Sequence, residues 1–240
     1  QCLFAVYVAL FYGGAALRNR FEDFNQVLPH GWVAGEPLMN VVVLLHVGFT
    51  VLVVAGGLLQ LLPAIRRIAP ALHRWNGRIY IASAAVLAIG GLAMILVRGS
   101  SGGGLKQAGI MINALLILAF AALAWRAARA RQFEVHRRWA LRLFLAVSGV
   151  WFFRIGLMFW IAVNGGPAGF DPATFRGPAL DAIGFLQFLL PLALLEAWLR
   201  VRERGTPPWQ AALAVILFAA IGVTVLGTLV AARVLWLPRL

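Results

Sequence analysis

Four histidines, a single cysteine and eight acidic residues are the main groups in this 240-residue chain that can ligate a metal or carry a proton near neutral pH. Two of the histidines stand in related settings: His73 opens HRWNGRIY (73–80) and His136 opens HRRWALRLF (136–144), 63 positions apart. Haem b takes two axial imidazoles from facing helices, and cations serve its propionates. His73 and His136, flanked by Arg74, Arg78, Arg137, Arg138 and Arg142, meet that list. On a helix begun by Pro70, His73, Gly77, Tyr80 and Ala84 share one face. A histidine and a tyrosine there sit beside small residues that leave room for something flat. The plainer reading of the same residues is a set of interfacial histidines among arginines that face anionic lipid headgroups. A metal or an anionic substrate completes the alternatives. Cys2 alone excludes an internal disulfide, a CxxCH haem attachment and a thiolate cluster.

A second constellation lies inside apolar runs, where an ionisable side chain costs at least about 2.5–3.5 kcal/mol. His46 falls six residues inside its run and Arg154 twelve residues beyond Arg142, about 9 Å and 18 Å deep at helical rise. Glu196 precedes Arg200 by four residues, the spacing of a helical ion pair near the surface. Arg154 has no such neighbour in sequence, so we expect a polar cavity between the second and fifth segments holding it with His46. Met94, Met111 and Met158 reach depths similar to His46 and could complete a His/Met haem or copper(I) site. Methionine in an apolar bundle is ordinarily packing material, and no metal site is assigned. His30 reads as a solvated loop residue. The turn RGSSGGGLK (98–106) lacks the GxxxxGK[ST] spacing of a phosphate loop.

What must position these residues is a membrane bundle. Hydrophobic residues make up 62% of the chain and charged ones 12%, against about 25% charged in soluble domains. Seven apolar runs, at 2–17, 40–63, 79–97, 108–125, 143–163, 182–199 and 211–237, approach the roughly 20 residues needed to span hydrocarbon. We read 1–240 as a single all-α transmembrane domain. The first run is short, and a chain opening at Gln1 without a basic leader reads as missing residues upstream. The net charge of +13 would suggest nucleic acid on a soluble chain. Here the arginines fall in short bursts between apolar runs, which records membrane orientation instead. Thirteen basic residues, all arginine, lie in the loops 64–78, 126–142 and 200–204, and seven, Lys106 among them, on the other side. The N-terminus is therefore expected inside and the C-terminus outside. Gly56 with Gly57 and Gly90 with Gly91 suit close helix approach. Trp151, Trp160 and Trp236 suit interfacial or lipid-facing positions.

The two basic loops ending in His-Arg motifs predict a repeat of helix, basic turn and returning helix. Segments two to five would then form a central four-helix bundle of two parallel hairpins. The stretches LLHVGFTVLVVAGGLLQLLPAIRRIAPALHRWNGRIY (44–80) and AARARQFEVHRRWALR (127–142), with Arg154 and Glu196 in the segments that follow, resemble a bacterial family of integral membrane proteins, the domain of unknown function 2306. The resemblance covers roughly residues 40–200. It departs at Ala140 and Leu143, where the family more often has Met and Ser, which puts a role for those two side chains in doubt. It implies a polytopic inner-membrane protein and no activity.

Function therefore rests on the residues. One expectation is membrane electron transfer through haem b or quinone at His73 and His136. Another is a small-molecule transporter or sensor built on His46 and Arg154, and a third is an accessory subunit of a membrane complex. Whether the chain is an enzyme stays open at this point. Expected partners are the bilayer, anionic lipids on the cytoplasmic side, quinone or a partner membrane subunit, and no nucleic acid. The orientation has a direct check. A reporter fused after Arg204 should behave as cytoplasmic and one fused after Leu240 as external, and the opposite result at either site overturns it.

Overall fold

The computed structural model describes residues 1–99 and 104–240. Among these, the helices in order are α1 (Cys2–Leu17), α2 (Pro37–Leu61), α3 (Pro63–Ile68), α4 (Pro70–Arg98), α5 (Gly104–Arg129), α6 (Phe133–Val147), α7 (Gly149–Asn164), α8 (Pro178–Arg204) and α9 (Pro207–Ala231). Two 3-10 turns, at Phe21–Gln26 and Leu237–Arg239, and a π turn at Ala232–Trp236 complete the helical elements among the described residues. Proline opens α2, α3, α4, α8 and α9. Its fixed φ suits the first turn, where its missing N–H would have no partner in any case. Gly165, at φ +67°, ends α7 in the left-handed conformation that L side chains disfavour.

Each of the seven apolar runs falls on a helix, and the all-α membrane architecture holds. The number of full spans is smaller than seven. Five helices (α2, α4, α5, α8 and α9 with its last turns) are long and apolar enough to cross a membrane. The pair α6 and α7, bent by 50° at Ser148, makes a sixth if taken as one span. α1 has 16 residues, about 24 Å at helical rise, short of the roughly 30 Å of hydrocarbon. The helices also outrun the apolar runs. Residues 126–129, 133–142 and 200–204 are helical, because arginine and glutamate are good helix formers and hydropathy marks only the oily part of a helix.

The chain divides into two compact units. The first holds α1 to α4, α5 from Ala114 onward and α6 as far as Phe144; the second holds the start of α5, α6 from Leu145 and α7 to α9. In the first unit α2 lies along α4 and α1 against α2. Glycine permits the closeness. A Cβ at Gly57 would lie 3.0 Å from the Tyr80 ring and 3.2 Å from the Phe144 ring, and one at Gly56 would lie 3.0 Å from the Asn76 amide oxygen. In the second unit α7 packs along α9 and also against α8. Backbones meet there: a Cβ at Gly227 would fall 2.3 Å from the Ile155 carbonyl oxygen, and one at Gly109 2.8 Å from that of Gly184. Trp151 and Trp236 are buried within this unit, so the lipid-facing reading fails for both. Their large rings fill the core, as aromatic residues do wherever partners surround them. Trp160 does lie at the surface, with its indole N–H donating to the Ala168 carbonyl at 2.7 Å.

The connection between α1 and α2 is ordered by one cation. Arg98, at the end of α4, pairs with Glu36 through Nε (3.0 Å) and Nη2 (2.9 Å). It also donates to the carbonyls of His30 (2.7 Å) and Gly31 (3.2 Å) and to Oδ1 of Asn40 (2.8 Å). His30 is an exposed loop residue, as expected, and its backbone, at φ +57°, lends its carbonyl to this clamp. The Arg98 side chain is 7% exposed, so its loss would leave several acceptors without a donor. We expect Arg98→Ala to lower stability by about 2–3 kcal/mol. Proteolysis should then cut residues 19–36 well before the helices, and equal protease resistance in the two proteins would count against this role.

Candidate functional site

The arginine-rich end of the first unit gathers the residues with most chemistry. His73 sits in the first turns of α4 and His136 in the first turn of α6. Both belong to the first unit, and His73 lies within electrostatic reach of Arg66, His136 and Arg74. His136 is the better fixed. Its Nδ1 lies 2.9 Å from the Ala124 carbonyl oxygen. A carbonyl can only accept, so Nδ1 carries the proton and the lone pair is on Nε2. This is how a metal-ligating imidazole is ordinarily held. His73 differs, because its buried Nδ1 has no partner among the described residues. The preceding helix holds its backbone instead, with Gln60 Nε2 donating to the His73 carbonyl at 2.9 Å.

The arginines around them are braced by tryptophan. Arg78 lies over the Trp75 ring at 4.8 Å and Arg142 over the Trp139 ring at 4.6 Å. Both pairs have the i,i+3 spacing of helical neighbours, so Trp-x-x-Arg is a recurring element of the two motifs. A third pair, Arg202 over Trp198 at 5.3 Å, stands near the end of α8 in the second unit. Cation–π contact keeps each guanidinium at the helix surface while the ring remains among apolar neighbours.

The expected face of α4 is present, but the room beside it is not. Tyr80 and Ala84 are buried and His73 and Gly77 half-buried on that face. The space next to Gly56 and Gly57 is taken up by Asn76, Tyr80 and Phe144. Asn76 Nδ2 donates to the Gly56 carbonyl at 2.8 Å, so those glycines serve helix approach and leave no slot for a flat ligand.

The second candidate group is divided. His46 belongs to the first unit, and Arg154 and Glu196 to the second. The His46 ring lies against α4, 3.6 Å and 3.5 Å from where Cβ atoms of Gly90 and Gly91 would be. Arg154 is half-buried on α7, with Nη1 donating to the Val150 carbonyl at 3.3 Å. Glu196 is half-buried on α8, one turn before Arg200. Among the described residues no group of three His, Cys, Asp or Glu could hold a metal ion. The Gly-rich turn at 98–106 lies in part outside the described residues.

Sequence reasoning passed over a set of neutral polar residues. In the second unit Asn113 donates from Nδ2 to the Ala146 carbonyl (3.0 Å) and Gln187 from Nε2 to that of Gly184 (2.7 Å). Both flank Gly149 at the bend between α6 and α7, where a Cβ would lie 2.7 Å from Asn113 Nδ2 and 3.6 Å from Gln187 Oε1. Pro191, inside α8, has no N–H to return to the Gln187 carbonyl. Asn113, Ser148 and Gln187 are all buried. The only signal in sequence was that amides and a serine interrupt apolar runs.

These features define an α-helical membrane protein that crosses the bilayer several times. Residues 43–180, more than half of the chain, match the family described as predicted membrane protein (DUF2306), and the chain belongs to that family. Neither a curated protein nor a solved structure matches it.

The contact of α2 with α4 can be tested alone. Valine at Gly57 would drive branched carbons into Tyr80 and Phe144, and overpacking of this kind costs about 1–3 kcal/mol. Gly57→Val should lower the thermal midpoint in detergent, whereas Gly13→Val, where a Cβ meets nothing within 4 Å, should leave it unchanged. Equal midpoints for the two variants would refute the role given to Gly57.

Proposed function

We propose that the chain is a redox protein of the bacterial inner membrane. It holds haem b, or exchanges electrons with quinone, at His73 and His136. What supports this reading is that both histidines lie in the first unit, each near the start of an arginine-bearing helix, and that the Ala124 carbonyl holds Nδ1 of His136 and so leaves its Nε2 for a ligand. Arg74 and Arg137 neighbour the histidines in sequence, and Arg78 and Arg142, each over a tryptophan ring, suit carboxylates of a bound cofactor or anionic lipid headgroups. Tyr80 stands one face-repeat deeper on α4. Bound haem would supply one-electron chemistry, and the chain's residues would orient it and balance its charge. The arginine excess of the loops 64–78 and 126–142 puts the site on the cytoplasmic side. Electrons would pass to or from quinone or a partner membrane subunit.

The bend at Ser148 favours a second reading, a small-molecule transporter or sensor. A helix broken within the bilayer and lined by buried amides is a recurrent way to build a substrate site there. Arg154 and Glu196, in the same unit as the bend, would be its charged groups.

The visible spectrum of the purified protein separates the readings. Protein expressed with haem precursor should show an intense Soret band and a sharp reduced α band. His136→Ala should remove both while the protein stays folded by circular dichroism. A preparation colourless under these conditions, with no change on adding a quinol, would end the redox reading.

A further inference from the structure

Across the seam of α2 and α4, nearly every helical turn carries a polar side chain. His73, Asn76, Tyr80 and Ser83 follow on one face of α4, and on α2 the stripe His46, Thr50, Val53, Gly57 and Gln60 has the same helical spacing. The contacts of Gln60 with His73, Gly56 with Asn76, Gly57 with Tyr80, and His46 with Gly90 and Gly91 fix the antiparallel register. In that register Thr50 falls between the levels of Ser83 and Gly90. From His73 upward, Tyr80 stands at about 10 Å, Ser83 at about 15 Å, Thr50 at about 20 Å and His46 at about 26 Å. No step exceeds about 6 Å once Asn76 is counted, and the file is nearly as long as the hydrocarbon is thick.

Several of these groups lack what buried polar groups ordinarily have. Tyr80 is 6% exposed and Ser83 1%. Neither the Tyr80 hydroxyl nor the Ser83 hydroxyl has a hydrogen-bond partner among the described residues, and neither does Nδ1 of His73. A serine inside a membrane helix usually bonds back to the carbonyl four residues earlier. Thr50 does so, donating to the His46 carbonyl at 2.8 Å, whereas Ser83 does not. Leaving such a group unpaired costs about 1–3 kcal/mol, and an internal water with two or more polar neighbours removes that cost.

We infer that the seam of α2 and α4 is a proton path, in which internal waters link His73, Tyr80, Ser83, Thr50 and His46, with more than one water crossing the gap of about 10 Å between His73 and Tyr80. Each imidazole or hydroxyl accepts one proton on a lone pair as it releases another, so every group returns to its starting state and nothing is oxidised. An imidazole stands at each end of the file, a group that can both take up and release a proton. Intramembrane chains that include histidine are a known means of moving protons. The inference needs no haem and is independent of the redox reading.

Proton flux into proteoliposomes tests it, with a trapped pH dye and a potassium diffusion potential set by valinomycin. Liposomes holding the protein should take up protons faster than protein-free ones, and Tyr80→Phe and Ser83→Ala should each lower that excess at least tenfold. Both substitutions remove groups without protein partners, so both variants should insert and fold, as size exclusion and circular dichroism would verify. Liposomes with wild-type protein no leakier than empty ones would overturn the inference, and so would wild-type flux in Tyr80→Phe. Seam hydration has its own readout: a wet seam makes Tyr80→Phe less thermostable, and a dry one makes it more so and overturns the path. The visible spectrum is untouched by these outcomes, so failure here and failure of the redox reading are separate events.

Discussion

Close approach of α2 and α4 through glycine is the constraint on which the first unit depends. In a bilayer there is no hydrophobic drive between helices, so association rests on packing and on hydrogen bonds between them. Gly56 and Gly57 supply both. Their missing side chains let Asn76 reach a backbone carbonyl and let Tyr80 and Phe144 fill the gap between helices. That contact fixes the register of α4, and the register brings His73 beside Gln60 at one end and Gly90 and Gly91 beside His46 at the other. The second unit solves the same problem with Gly227 against Ile155 and Gly109 against Gly184, where backbone meets backbone and Gln187 donates to the Gly184 carbonyl. The seam of the first unit can carry polar groups because its glycines are matched to side chains instead.

Much of this was legible in the residues. Apolar runs place the helices because hydrocarbon demands internally bonded backbone, and the prolines at 37, 63, 70, 178 and 207 mark their starts. The shared face of His73, Gly77, Tyr80 and Ala84 follows from helical periodicity once Pro70 is read as a start. Glycine pairs announce close packing, yet they cannot say what fills the space beside them. The same Gly56 and Gly57 suit a flat ligand or a neighbouring tyrosine, and only the positions of Tyr80 and Phe144 decide. Tryptophan is ambiguous for a like reason. Trp151 and Trp236 sit in the core while Trp75 is 62% exposed, because an amphipathic ring satisfies either setting.

Neutral polar residues were the larger blind spot. A lone serine or amide barely changes the hydropathy of a twenty-residue run, so Ser83, Thr50, Asn113 and Gln187 are invisible to the measure that finds the helices. Charged residues draw attention by their insertion cost, and His46, Arg154 and Glu196 were singled out on that ground. Arg98 was legible only as one more cation beyond the apolar run. Its hold on Glu36, Asn40 and two backbone carbonyls depends on residues more than 55 positions away in sequence, which no local pattern reveals.

The two His-Arg motifs show how a single residue changes chemistry. His73 precedes Trp75 by two positions, and His136 precedes Trp139 by three. At about 100° per residue, the imidazole and indole of the first motif point to opposite sides of α4, whereas those of the second lie about 60° apart on α6. The contacts agree. His136 and Trp139 both face α5, through the Ala124 carbonyl and the Phe120 ring at 5.7 Å. His73 turns into the seam with α2 while Trp75 points away from it. The Trp-x-x-Arg element stays the same in both, each arginine lying over its tryptophan ring, while the surroundings of the rings and of the histidines differ. One imidazole has its proton fixed by a carbonyl and the other has a buried nitrogen without a partner. Two similar sequence motifs thereby give a histidine with a set tautomer beside one free to exchange its proton.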